Sequence, residues 1–325
     1  MIASRVLLII HNPVVDPQQG AKLSQALDWN DPDALADQYI RDVRQASHGI
    51  VDYQIVERVE VDDFPAKIDG FRYDAASYLR CIREQRGFHE PDAIDYLALI
   101  REFRMIEKVA ANQIDEVWLI GFPYSGYYES TMCGRDAFWC NSPPVKGTEH
   151  SERRFVIMGF SYERGMGEML EDLGHRAEAI MTKVYEGVTG ERNLWERFSR
   201  YDSIAPGRAS AGNVHFAPNS ERDYDWGNPR PVSSDCDDWL NFPSLTGARR
   251  MVDCRDWGNG DIRLHHLWWL ERLPHAEGET DGVRNNWWTY VVDPNTVQNS
   301  GCLTLFLSWF QRLSTPRSHR TAYHA

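Results

Sequence analysis

From Val6 to about Ser203 short apolar runs alternate with segments whose apolar residues recur at helical spacing. The apolar runs predict strands at Arg5–Ile10, Val51–Val61, Asp115–Gly121 and Arg154–Gly159, each rich in Val, Ile, Leu or aromatic residues. The helical spacing predicts helices over Asp31–Ser47, Asp74–Glu84, Asp92–Gln113, Gly165–Glu186 and Leu194–Tyr201. Asp31-Pro32 gives the first of these a capping side chain and a first-turn proline. Alternation of this kind predicts the α/β class, with helices flanking a sheet in three layers. Beyond Pro206 the periodicity fades. Gly, Pro, Asn, Asp and Trp dominate, as in Trp257-Gly258-Asn259-Gly260-Asp261, and one short helix is expected near Ile262–Leu273.

The segment from Gly167 to Glu178 reads G-E-M-L-E-D-L-G-H-R-A-E. On a helix, Glu168, Glu171, His175 and Glu178 share one face, and three carboxylates packed beside an imidazole favour a cation. Glu171 and His175 stand at i and i+4, the spacing at which the helical H-E-x-x-H motif places two metal ligands, and Asp172 takes the position of its general base. Glu178 is the candidate third ligand, with His215, His265, His266 and His275 as distant alternatives. A water in an open position would then be polarised for attack. The competing reading is an amphipathic helix with a solvated acidic face, its Met166, Met169, Leu170, Leu173, Ala177 and Ile180 turned to the core. Gly174 favours a site, because a mid-helix glycine costs about 1 kcal/mol unless something must approach closely.

This helix resembles the active helix of zincin metallopeptidases, Glu171-Asp172-Leu173-Gly174-His175 standing in place of H-E-x-G-H. Glu replaces the first His ligand and Asp replaces the general base. The resemblance implies a zincin-like sheet and a metal-dependent hydrolase acting on a peptide or glycopeptide. It also implies Glu171 and His175 as ligands and Asp172 as base. Zinc is the expected metal, and the carboxylate ligand keeps manganese and calcium open. The expected organisation is a metal-site α/β domain over residues 1–205, a loop-rich aromatic region over 206–300 covering its cleft, and a tail over 301–325.

The aromatics add a second line of thought. Of twelve tryptophans, seven lie between Trp226 and Trp288 among Asp, Asn and His, a composition suited to stacking on sugar rings. Trp257, Trp268, Trp287 and Trp288 are therefore candidate substrate-binding residues, unless they form the core of this half. Carbohydrate recognition without catalysis is one alternative function. A two-carboxylate glycoside hydrolase is another, pairing Glu129 with Glu163 or Glu168. Gly159-Phe160-Ser161-Tyr162-Glu163 has the strand-to-helix context of a nucleophile elbow but ends in Glu where that turn needs a small residue, and a capped helix start explains Ser161 equally well. On the Ile262–Leu273 helix His265 shares a face with Trp268, Trp269 and Arg272, which predicts packing rather than ligation. Asp235-Cys236-Asp237-Asp238 is an acidic cluster suited to calcium without EF-hand spacing.

A formal charge of −13 argues against a nucleic-acid partner or an anionic membrane surface. No apolar run reaches the length of a membrane span, and Met1–Ile10 lacks the pattern of a secretory signal. Six cysteines without a C-x-x-C pair exclude zinc ribbons and thioredoxin-like chemistry. Cys133 with Cys140, or Cys236 with Cys254, would be disulfides in an exported chain, whereas the absence of a glycosylation sequon favours the cytoplasm.

Overall fold

The computed structural model of the chain describes residues 1–297. The apolar stretch Cys302–Phe310 and the polar tail after it lie outside the described residues. Five strands build the main sheet: β1 (Ile2–His11), β2 (Val51–Val61), β3 (Glu116–Gly121), β4 (Ser130–Cys133) and β5 (Phe155–Ser161). Their spatial order is β2-β1-β3-β5-β4. The first four run parallel, with Val6 opposite Glu116 and Val117 opposite Ile157, and β4 closes the edge antiparallel to β5.

The central strands β3 and β5 and the Val6–Ile10 stretch of β1 read as apolar runs because both faces of the sheet are covered there, whereas the edge strand β2 alternates apolar with polar residues. Val6, Leu8 and Ile10 point into one core with Trp118, Ile120, Val156 and Met158, under helix α1 (Pro32–Ala46) and helix α2 (Met166–Val184). Leu7 and Ile9 point the other way, with Val117, Leu119 and Ile157, under two short helices, Tyr96–Glu102 and Met105–Ala110. This is the expected mixed α/β arrangement of a sheet flanked by helices. Asp31 caps α1 by accepting from Ala34 N at 2.8 Å.

Two elements differ from the reading of the sequence. The helix expected over Asp92–Gln113 is split: Asp95 caps its first piece, and Arg104 turns left-handed at φ 51° before the second. Strand β4 was not expected, since Ser130-Thr131-Met132-Cys133 carries too little apolar character to stand out.

Residues 206–297 form few regular elements, chiefly helix α3 (Ile262–Leu270) and two small antiparallel pairs. They pack into the same core as α1 and α2. Here the aromatic expectation is corrected: Trp257, Trp268, Trp287 and Trp288 are all at most 7% exposed, so none offers a face to a substrate. Trp287 sits among Trp195, Phe198, Trp239 and Phe242, with ring centroids 5.6–6.1 Å away. Gly167 lets α3 cross α2 closely, because a Cβ there would lie 2.3 Å from Ile262 Cγ2. Among the described residues no helix is long and apolar enough to cross a membrane.

Candidate metal centre

Helix α2 leaves the sheet directly after β5, and Gly165 N donates to Glu168 Oε2 at 3.2 Å to satisfy its first turn. Glu168, a candidate catalytic carboxylate, thus has one oxygen engaged at its own helix end. Leu170, Leu173, Ala177 and Ile180 fill the core. On the same side Arg176 pairs with Glu116 of β3 at 3.0 Å, both side chains being buried. Glu171, His175 and Glu178 face instead the turn Gly212–Phe216.

That turn is held from three sides. Glu178 Oε1 accepts from Val214 N at 3.1 Å, His266 Nε2 meets Val214 O at 3.3 Å, and Trp269 Nε1 donates to Gly212 O at 3.1 Å. Asn213 Oδ1 closes it from within by accepting from His215 N and Phe216 N. Gly174 makes the approach possible: a Cβ there would stand 2.5 Å from Val214 Cγ2 and 3.5 Å from Trp269 Cζ3. Glycine at this helical position serves the close contact its propensity cost implied.

The result is a convergence of three donor atoms. His215 Nε2 lies 3.1 Å from His175 Nε2 and 3.2 Å from Glu171 Oε1, and His175 Nε2 lies 3.9 Å from the same oxygen. Bonds of about 2.0–2.1 Å to one tetrahedral zinc would separate the ligand atoms by about 3.3–3.4 Å, in the middle of this range. These three residues form a group that can hold a metal ion. Both imidazoles have a carboxylate at the ring nitrogen that points away: Glu178 Oε2 is 3.1 Å from His175 Nδ1, and Asp223 Oδ1 is 3.5 Å from His215 Nδ1. Such partners fix the tautomer that turns an Nε2 lone pair toward a metal. Glu178, expected as the third ligand, therefore stands behind His175, and His215 takes the third place.

The electrostatics ask for positive charge. Burial works against ionisation of Glu171, yet hydrogen bonds with His175 and His215 outweigh it and hold the carboxyl far below its ordinary range. Burial likewise opposes a charged His175, but its bonds to Glu171 and Glu178 prevail and push the imidazole well up.

Around this centre the remaining candidates divide. Asp172 is 8% exposed and makes no hydrogen bond to the described residues, and burial followed by the charge of Glu129 pushes its carboxyl well up. Glu129 is exposed, accepts from Asn141 Nδ2, and acts electrostatically on both Asp172 and His175. Tyr224, which nothing in the sequence singled out, brings its hydroxyl to 3.2 Å from His215 Nε2. His265 is fully buried against Trp226 as its helical face implied, and burial drives it well below the ordinary histidine value. His266 holds the turn, and His275 stacks on His48 with ring centroids 4.0 Å apart.

Other clusters have structural partners. Asp237 pairs with Arg250 and Arg272, Asp235 with Arg249, and Asp238 accepts from Thr246 N and Gly247 N, so the acidic loop is neutralised within the protein. Ser161 Oγ accepts from Glu163 N at 3.3 Å, as a turn-forming serine does. Cys133, Cys140, Cys236 and Cys254 are free and buried.

Compared with known proteins, the chain matches no protein-family model, no curated protein and no solved structure.

Proposed function

We propose that this protein is a metal-dependent hydrolase in which Glu171, His175 and His215 hold a divalent metal, zinc first among the candidates. The observation that carries the proposal is the meeting of two imidazole nitrogens and one carboxylate oxygen within 3.1–3.9 Å, with a carboxylate behind each ring. Two histidines and a glutamate form a known ligand set for hydrolytic zinc, leaving room for water or substrate. The metal would supply Lewis acidity, polarising a water or a carbonyl oxygen. The protein supplies the rest. Glu178 and Asp223 orient the rings, and Asp172, buried with no hydrogen bond among the described residues and held under the charge of Glu129, would be the group that exchanges a proton with substrate.

What supports the zincin resemblance is that Glu171 and His175 lie together at i and i+4 on a helix that directly follows a strand of the sheet. A peptide or other acyl substrate suits this reading. The sugar readings lose ground, since Trp257, Trp268, Trp287 and Trp288 are interior and Glu168 has one oxygen engaged at its helix end.

Elemental analysis and titration of the purified protein with zinc, manganese and calcium test the proposal. One equivalent of metal is expected. His175→Ala and His215→Ala should each weaken binding by at least about 100-fold, since even the outer partner of a metal-bound histidine is worth about 10–100-fold. Absence of stoichiometric metal, with both variants matching wild type, would remove the proposal.

A further inference from the structure

A fourth donor atom stands beside the three of the ligand cluster. Tyr224 Oη lies 3.2 Å from His215 Nε2, the same separation that divides His215 from Glu171, and the Glu171 charge acts on the phenol. Ligands of one small cation stand about 3.0–3.4 Å apart when bonds are near 2.1 Å, so the phenol occupies a ligand's place and not merely a neighbour's.

The placement is built by the backbone. Tyr224 N donates to His215 O at 3.1 Å, which sets residues 215 and 224 side by side, and the adjacent Asp223 reaches the far nitrogen of the same imidazole. Tyr224 holds φ at 57°, a left-handed conformation that bulky residues seldom adopt. Its ring meets Trp226 edge-on at 5.2 Å, yet the residue is 54% exposed. Glu221, Arg222, Tyr224, Asp225 and Asn228 line an open surface cavity, and of these Tyr224 also touches the ligand cluster through His215. An exposed ring can change rotamer without unpacking the core.

We propose that Tyr224 is a displaceable fourth donor, completing the Glu171, His175 and His215 set at rest and giving way to a substrate oxygen that enters from the cavity lined by Glu221 and Asp225. The inference rests on the reading of those three residues as metal ligands. Coordination releases the phenolic proton to solvent, and displacement takes one back, so no further reactant is required. A substrate with a carbonyl oxygen, such as a polypeptide, fits this entrance, whose carboxylates are already paired: Glu221 with Arg230, Asp225 with Arg222 and Asp223 with His215.

Copper(II) is the probe, because a phenolate bound to it gives a visible charge-transfer band that imidazole and carboxylate ligands do not. The full chain, titrated with one equivalent of copper(II), should develop the band. Tyr224→Phe should bind copper with unchanged stoichiometry and lose the band, its folding checked by circular dichroism. Copper-loaded wild type without the band, or Tyr224→Phe that retains it, overturns the role of Tyr224 and leaves the metal centre standing. If copper binds neither wild type nor His175→Ala, the metal reading fails and this inference falls with it.

Discussion

Glu178 joins the two segments that carry the donor atoms. One oxygen accepts from His175 Nδ1 and the other from Val214 N, so a single side chain orients the helix-borne imidazole and anchors the turn that bears the second. Glutamine in its place keeps the shape but loses the charge that holds the tautomer. Glu178→Gln is expected to weaken metal binding about 10–100-fold, read by competition titration, with the melting temperature little changed. Binding equal to wild type would show that Glu178 only fills space. At this scale half of the centre was legible. Glu171 and His175 stand out because a helix has a fixed period. His215 stood level with three other imidazoles, because a turn has no period to betray which of its residues points inward, and Tyr224 carried no signal at all. Glu178 was visible as a member of the face, but spacing cannot tell which ring nitrogen a carboxylate will meet.

Among the elements, Asp115 laces the strands together at the end of the sheet where β3 begins. It accepts from Arg5 N and from the Arg5 guanidinium of β1, and Arg153, next to β5, donates to its other oxygen. Burial raises its carboxyl pKa, but the bonds from Arg5 and Arg153 outweigh that and bring it down to about 2. A depressed carboxyl stabilises the fold above the unfolded value of 3.8, and the benefit drains away as pH falls from there through about 2. The shift corresponds to about 2 kcal/mol. Asp115→Asn should therefore lose about that much at neutral pH, show a smaller loss of stability between pH 4 and 2 than wild type, and bind metal normally. Denaturant titrations across that range would expose the error if the two proteins fell in parallel. Of the four parallel strands, β1, β3 and β5 could be read in the sequence because burial on both faces makes their middles apolar runs, and β2 because Val, Ile and Tyr recur between its polar residues. Strand β4 could not, since Ser130 and Thr131 are buried polar residues whose hydroxyls are satisfied by Cys140 O and Pro143 O. The Asp92–Gln113 helix was overextended because its periodicity continues across the left-handed break at Arg104.

Across the whole molecule, the second half is a core with few regular elements. Loops and short helices supply the rings, and the rings interlock: Trp287 alone contacts Tyr185, Trp195, Phe198, Trp239 and Phe242. Trp287→Ala is expected to cost about 3–5 kcal/mol in denaturant unfolding, far more than loss of a surface sugar platform would. A cost below about 1 kcal/mol would contradict its interior position. The composition announced aromatic importance without saying which way the rings face, because with periodicity absent nothing in the order of residues separates inside from outside.

Gly174 lets a turn forty positions beyond His175 reach the helix, and metal bound there would act as a removable cross-link. It would join segments far apart in the chain, and because only the folded protein brings the three donors together, the metal would bind the native state and not the unfolded one. Stability would then follow the free metal concentration logarithmically, rising about 1.4 kcal/mol for each tenfold excess over the dissociation constant. A chelator would act on this molecule as a mild denaturant acts on others, loosening the aromatic half from the sheet before any catalytic question is asked.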